Sequence, residues 1–171
     1  MAVSDVLEVT AREADEVKTG IEPAVRKDLA GQLSTLLSDT YVLTIKSHIC
    51  HWNVVGPLFK SVHDLTEEHY EDLFEAADEI AERIRALGHR APIEGDKMNL
   101  QVSIGSHVSG MPDAKAMIED LVRGHEQIAS KMREVAESAG DRGDVVTEDM
   151  LTGRITFHEK SAWMLRALIA D

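Results

Sequence analysis

The fold is decided by residues 51–83, which read HWNVVGPLFKSVHDLTEEHYEDLFEAADEIAER. After the break at Gly56-Pro57, the pattern predicts one long helix from about Leu58 to Leu87. Apolar side chains recur at helical spacing along one face of this segment: Val62, Leu65, Leu73, Ala76, Ile80, Ile84 and Leu87. An amphipathic helix of this length is typical of a helical bundle that buries the apolar face.

The opposite face carries two pairs of potential metal ligands. His63 and Glu67 are four residues apart, as are Asp78 and Glu82, so each pair shares one side of the helix. At about 100° per residue, all four side chains lie within about 100° of one another. Positions 67 and 78, however, are roughly 16 Å apart along a helix. Metal–ligand bonds are about 2 Å long, so a single ion cannot join both pairs of one chain.

Two interpretations of this face stay open. It is either a solvated acidic surface or a contact with a second copy of the chain. Small and aromatic residues between the two ligand pairs favour a contact: Tyr70, Phe74, Ala77 and Ala81. If a second copy lies antiparallel across a two-fold axis near Asp72, the first pair of each copy faces the second pair of the other. Two shared metal sites per dimer are the expected result.

A further candidate ligand is His51, at the end of the preceding helix, from where it would reach the start of the next helix and join His63. An iron pair inside a four-helix bundle uses Glu-x-x-His motifs, and no histidine in this chain has Glu three residues earlier. An intersubunit site therefore fits better than an internal one. Mixed imidazole and carboxylate ligands suit iron, zinc or manganese.

The rest of the chain predicts three more helices. The first begins at Pro23, which suits a first helical turn, and ends near Trp52. Residues 88–112 form a long connection, for which we expect a crossover with a short helix around residues 97–102. A third helix begins after Asp113 and ends near Gly140. The fourth is expected to be capped by Thr147 and to run to the C-terminus.

The predicted fold class is therefore all-α. Four long helices with one long crossover match a ferritin-like four-helix bundle. The expected organisation is a polar N-terminal lead-in over residues 1–22 and a bundle over residues 23–171. No signal peptide or membrane-spanning run is predicted.

Composition limits the possible function. The net charge is −13 over 171 residues, which disfavours non-specific nucleic-acid binding and favours cations. The single cysteine, Cys50, excludes an intrachain disulfide and predicts a cytoplasmic protein. We expect its thiol to be inert packing.

Together these residues resemble the signature of the Dps family, the mini-ferritins first named as DNA-binding proteins from starved cells. The resemblance covers nearly the whole chain after the lead-in. Its matching segments are His48-x-x-His51-Trp52-Asn53, Gly56-Pro57-x-Phe59, His63, Asp78-x-Ile80-Ala81-Glu82-Arg83, Leu87-Gly88 and His158-Glu159-Lys160-x-Ala162-Trp163-Met164-Leu165-Arg166.

The resemblance implies a hollow dodecamer built from two-fold dimers, with ferroxidase centres at the two-fold interfaces. Members of the family oxidise Fe(II), usually with hydrogen peroxide rather than dioxygen. They store the product as a ferric mineral, so that DNA is protected because both Fenton reagents are removed. A di-iron centre and a ferric mineral core are thus the expected iron species.

Matched position by position, His51, His63 and Glu67 would come from one subunit, and Asp78 and Glu82 from its partner. Position 67 departs from the family, which typically has Asp there; the longer arm of Glu keeps the charge, and we expect it to shift the second iron and change its affinity. By the same resemblance, Trp52 would intercept radical intermediates; its other interpretation is a core aromatic at a helix end. His48 is interpreted as a structural residue or as one that supports a ligand, and His69, His125 and His158 as hydrogen-bonded core residues.

The resemblance also implies an acidic three-fold pore for iron entry, with Asp141, Asp144 and Asp149 as the candidates. Two alternatives to ferroxidase function stay open: a DNA-compacting protein associated with the nucleoid, and a redox-silent shell that binds zinc. In the family, DNA binding usually depends on a basic terminal extension. Here the lead-in has two basic and six acidic side chains, so DNA binding is expected to be weak or absent.

Overall fold

The computed structural model describes residues 17–92 and 112–170. Their secondary structure consists of four α-helices: α1 (Pro23–Asn53), α2 (Phe59–Ala86), α3 (Ala114–Asp141) and α4 (Val145–Leu168). The four predicted helices, and the all-α fold class, are thereby confirmed. The expected short helix around residues 97–102 lies outside the described residues, as do the first sixteen residues of the lead-in.

Two helical hairpins make up the bundle. Helices α1 and α2 pack along each other, as do α3 and α4, while α1 also contacts α3 and α2 contacts α4. Fully buried side chains from all four helices form the shared core, among them Leu33, Leu73, Ile128 and Leu165. Burial of these apolar faces is the main source of stability. Across the hairpins, Lys46 of α1 forms a buried ion pair with Asp120 of α3 at 3.1 Å.

The α1–α2 turn brings the end of one helix back to the start of the next. Helix α1 begins at Pro23, in its first turn, where the missing N–H costs nothing. It ends where the Val54 amide donates to the Cys50 carbonyl. Gly56 then adopts a φ of 94°, a left-handed conformation that glycine accepts without steric cost. Chain reversal over these few residues places the last turn of α1 beside the first turns of α2.

The start of α4 differs from the prediction that Thr147 caps it. The N-cap is Asp144, whose carboxylate accepts from the Thr147 amide at 3.0 Å and from its hydroxyl at 2.6 Å. Asp144 also pairs with Arg83 of α2 at 2.6 Å, and Arg83 Nε donates to the Thr147 hydroxyl. Aspartate is the better cap because its charge favours the positive helix N-terminus.

One residue of the expected contact face is placed differently from the prediction. Ala77 is fully buried in the core, so it contributes to packing within the chain. Phe74 stays exposed on α2, with 63% of its surface accessible. Among the described residues, no helix has the length and apolar character that crossing a membrane would require.

Candidate metal centre

The centre of the candidate site is a pair of stacked imidazoles from the last turn of α1 and the start of α2. The rings of His51 and His63 lie with their centroids 3.7 Å apart and their planes 19° from parallel. His51 Nδ1 is 2.9 Å from the His63 carbonyl oxygen, and His63 Nδ1 is 3.0 Å from the His51 carbonyl oxygen. The structure thus brings these two predicted ligands together.

These two hydrogen bonds determine the tautomer of each ring. A carbonyl oxygen only accepts, so Nδ1 must carry the proton on both histidines. The lone pair of each neutral ring then lies on Nε2. A ring N–H bonded to a backbone carbonyl is the usual way in which proteins orient a metal-binding histidine. Both histidines are therefore prepared to bind a metal through Nε2.

Aromatic contacts hold the two rings in place. Phe59 stacks on His63 with centroids 5.0 Å apart, and Tyr70 meets His51 edge-on at 5.3 Å. His48 stacks on Tyr70 at 4.0 Å and on Trp52 at 5.1 Å. His48 therefore has the structural position expected of it, one turn before His51.

The predicted ligand Glu67 has a hydrogen-bond partner, Tyr70, that was not predicted to be part of the site. Tyr70 donates its hydroxyl hydrogen to Glu67 Oε1 at 3.2 Å. Desolvation, together with the charge of Glu67, raises the pKa of Tyr70, so its hydroxyl remains a donor at neutral pH. The spacing of three residues on one helix could have revealed this pair, since such residues are surface neighbours.

The other two predicted ligands stand apart on the same helix. Asp78 and Glu82 are exposed on α2, several turns beyond His63. Within residues 17–92 and 112–170 of this single chain, no three His, Cys, Asp or Glu side chains are close enough to hold a metal ion. The predicted ligands therefore lie in two separate groups on this chain, as the distance along the helix requires.

Trp52 lies beside the histidine pair but faces outward. It is 67% exposed, although a large aromatic side chain is usually well buried in a monomeric protein. Cys50, two residues before it in the chain, is buried, and burial raises the pKa of its thiol to about 11. A neutral thiol is a poor nucleophile and metal ligand, which agrees with the expected packing role.

The three predicted pore residues have different surroundings. Asp141 and Asp149 are exposed, at the end of α3 and the start of α4. Asp144 is only 1% exposed, and its ion pair with Arg83 and bonds to Thr147 lower its pKa despite its burial. Its carboxylate thus has partners inside the chain. A pore lies between subunits, so the pore role of all three residues stays a prediction.

A second group of histidines lies in the middle of the bundle. His69 of α2, His125 of α3 and His158 of α4 are all buried, as predicted. The Nδ1 atoms of His125 and His158 are 3.0 Å apart, which is a hydrogen bond between the two rings. His69 Nδ1 and the Nε2 atoms of the other two have no hydrogen-bond partner among the described residues. The expectation of hydrogen-bonded core histidines therefore holds only in part.

Burial dominates the ionisation of this group. It lowers the pKa of His69 to about 4 and that of His158 to about 3, and places the pKa of His125 well below its usual value. The charge of Arg154 lowers the pKa of His158 and His125 further, whereas Asp72 raises that of His69. All three rings are therefore neutral at ordinary pH.

Comparison with known proteins places this fold and site in a family. Residues 30–171 match the model of the ferritin-like domain. The chain is 41% identical over 155 residues to an uncharacterised low temperature-induced protein of Nostoc, covering 90% of this chain and 86% of that one. It is 34% identical over 145 residues to DNA protection during starvation protein 2 of Bacillus anthracis, covering 85% of this chain and 99% of that one.

A solved structure agrees with these relatives. The Dps protein of Vibrio cholerae O1, described as a member of a broad superfamily of ferritin-like diiron-carboxylate proteins, superposes with a TM-score of 0.81. It is 30% identical, and the match covers 88% of this chain and 94% of that one. With the four-helix bundle and these matches over most of its length, the chain belongs to the ferritin-like Dps family.

Proposed function

We propose that this protein is a ferroxidase that oxidises Fe(II) with hydrogen peroxide and stores the ferric product inside a dodecameric shell. The observation that carries the proposal is the His51–His63 pair, in which both Nδ1 atoms donate to backbone carbonyls and both Nε2 lone pairs are left for a metal. Membership in the Dps family supports iron storage and DNA protection as the general role.

The proposed centre is completed by a second copy of the chain. His51, His63 and Glu67 of one copy would meet Asp78 and Glu82 of the other across a two-fold axis. The exposure of Trp52 and Phe74 on this side of the chain supports such a contact, because exposed large apolar groups often mark interfaces. Two nitrogen and three carboxylate ligands suit iron, and an open position would admit peroxide.

The proposed reaction balances with two irons and one peroxide. Each Fe(II) gives one electron, and the O–O bond of the peroxide accepts both and breaks. With two protons the oxygen atoms leave as water, so hydroxyl radical is not released. The role of this chain is to hold the two irons together, so that peroxide meets a two-electron donor rather than a single Fe(II) ion. Trp52 beside the centre is proposed to intercept any radical that escapes.

Iron entry is proposed to use the acidic turn between α3 and α4. Asp141 and Asp149 remain candidates because both are exposed, whereas Asp144 is buried. A ring of such carboxylates in an oligomer would concentrate cations by focusing the field. The net charge of −13 acts in the same direction. We place the protein in the cytoplasm, on the basis of its single unpaired cysteine.

The test is a double substitution in the histidine pair. We expect His51→Ala/His63→Ala to abolish peroxide-dependent Fe(II) oxidation, followed as ferric absorbance after rapid mixing. The control is His89→Ala, a half-buried histidine beyond the end of α2. An undiminished rate in the double variant would reject the site.

Two alternatives are tested by binding measurements. A DNA-compacting role is disfavoured by the net charge, and a gel shift showing tight binding at about 150 mM salt would support it. A redox-silent shell that binds zinc would not take up more iron ions than it has metal-binding sites. Iron loading far above the number of sites, with Fe(II) and peroxide supplied, would exclude that shell.

A further inference from the structure

We propose that Tyr70 is a positioning residue for the proposed centre. Of the two ions proposed there, the first and tighter would be held by the two histidines with the partner copy's carboxylates, and the second, more weakly bound, by Glu67 with the shared Glu82. Tyr70 holds the Glu67 carboxylate so that it can bind this second ion. The inference rests on the proposed function and refines it at one ligand. The structural observation is the bond from the Tyr70 hydroxyl to Glu67 Oε1 at 3.2 Å. Tyr70 is thereby distinguished from a residue that only fills space beside the histidines.

A glutamate at this position needs such support. Its side chain has one more rotatable bond than aspartate, so more conformations must be excluded before the carboxylate reaches a metal. The Tyr70 hydroxyl restricts Glu67 through one oxygen, Oε1, and leaves Oε2 as the atom that can bind a metal. This arrangement favours attachment through a single oxygen, in the way that outer hydrogen bonds orient other ligating carboxylates.

The ring that carries the hydroxyl is itself held on two sides. His48 stacks on one face of Tyr70 with centroids 4.0 Å apart and planes 23° from parallel. His51 meets the ring edge-on at 5.3 Å with an interplanar angle of 89°. Tyr70 thus contacts the proposed ligand His51 through its ring and hydrogen-bonds the proposed ligand Glu67 through its hydroxyl. Tyr70 therefore couples the positions of these two ligands.

The predicted effect is specific to one of two metal-binding steps. His51 and His63 do not depend on the hydroxyl, because backbone carbonyls orient their rings. Loss of the hydroxyl should thus leave the tighter step unchanged and weaken the step that uses Glu67. Outer hydrogen bonds of this kind are typically worth about 10- to 100-fold in metal affinity.

The experiment compares Tyr70→Phe with Tyr41→Phe, because the chain has only these two tyrosines. Phenylalanine keeps the ring stacking at position 70 and removes only the hydroxyl. The intact oligomer is titrated with Zn²⁺, a redox-inert probe, by calorimetry. We expect about 10-fold weaker binding in the second step for Tyr70→Phe, with the first step within about twofold and Tyr41→Phe like wild type. Equal binding by both variants, or equal weakening of both steps, would overturn the inference.

A double-mutant cycle tests whether the hydroxyl acts through position 67. Glu67→Asp shortens the arm, so that the carboxylate no longer reaches the hydroxyl, and adding Tyr70→Phe should then change the second step by less than about twofold. A full 10-fold loss in the aspartate background would show that Tyr70 acts elsewhere. Failure of the proposed function is separate: it is seen when His51→Ala/His63→Ala binds Zn²⁺ as well as wild type does.

Discussion

Two groups of histidines in this chain show how one residue type acquires opposite properties. The His51–His63 pair lies at the α1–α2 turn, with each Nδ1 bonded to a backbone carbonyl. The trio of His69, His125 and His158 lies inside the bundle, where three ring nitrogens have no partner among the described residues. In both groups imidazole rings lie close together, stacked at 3.7 Å in the pair and edge-on or tilted at 5.0 and 5.2 Å in the trio, so proximity alone does not distinguish them.

The difference lies in what surrounds the rings. A carbonyl acceptor fixes the proton on Nδ1 and prepares Nε2 for a metal. In the trio, burial opposes the charged form of each ring, and Arg154 adds a positive charge nearby. Binding of a proton or a metal ion by these rings would add a second positive charge beside Arg154 and is therefore disfavoured. Burial without a compensating acceptor therefore makes a histidine part of the packing.

The largest expected effect is loss of stability in acid. The folded-state pKa of His69 is about 4 and that of His158 about 3, both below the unfolded value near 6.5. The unfolded chain therefore binds more protons, and stability present above pH 6.5 is lost as the pH falls toward these values. At about 1.4 kcal/mol per pKa unit, His69 and His158 each contribute about 3 kcal/mol to this loss of stability by pH 4.

Urea unfolding at pH 7 and at pH 4 measures this loss. Because carboxylates also titrate in this range, the informative quantity is the difference between wild type and His69→Leu. The variant should lose less stability than wild type between the two pH values. If the free energy of unfolding falls by the same amount in both proteins, the trio is not the cause of the acid sensitivity.

The next effect concerns Asp144, which is buried, whereas Asp141 and Asp149 near it in the chain are exposed. Asp144→Ala removes the N-cap of α4 and leaves Arg83 without its 2.6 Å partner. We expect a loss of about 3 kcal/mol or more in the free energy of unfolding, because breaking a buried pair leaves an uncompensated charge. Thermal or urea unfolding checks it, and Asp149→Ala is the control that should be almost neutral.

Replacing one histidine of each group by leucine tests the difference between the pair and the trio. His63→Leu should lower peroxide-dependent Fe(II) oxidation by at least about 100-fold, or about 2.7 kcal/mol in the activation free energy, because an imidazole ligand is lost. His69→Leu should leave the rate within about threefold, since its ring lies in the core. Rapid-mixing kinetics on both variants measure it. Similar losses in the two variants would abolish the distinction.

The smallest expected effect is on iron entry. Asp141→Asn/Asp149→Asn removes two exposed carboxylates from each chain, and we expect roughly threefold slower iron uptake at low salt, with a smaller difference at high salt because exposed charges are screened. The rate of mineral formation at several ionic strengths is the measurement. Uptake that is unchanged at low salt would remove this turn as the entry route.

Much of the site could be predicted because it depends on local geometry. The spacing of four residues between His63 and Glu67, and between Asp78 and Glu82, fixes shared faces on α2 wherever the helix lies. The turn at Gly56 is equally local, so the meeting of His51 and His63 followed from chain reversal. Tyr70 could also have been identified, because it is three residues from Glu67 on one helix.

The missed features depend on residues far apart in the chain. The partner of Asp144 was not predicted: Arg83, on another helix, pairs with this buried carboxylate. His69 was expected to be hydrogen-bonded in the core, yet its Nδ1 has no hydrogen-bond partner among the described residues, and the rings packed beside it are His125 and Phe157. Neither neighbour can be deduced from the periodicity of a single helix.

The helices, their buried faces and the shared sides of the predicted ligand pairs follow from the amino-acid sequence alone, because helical periodicity places residues four apart on one side. The protonation and availability of individual side chains depend instead on tertiary packing. Whether a ring nitrogen meets a carbonyl, another imidazole or no partner depends on how the helices pack against one another. A carboxylate is likewise used internally or left exposed according to which distant cation the fold brings beside it.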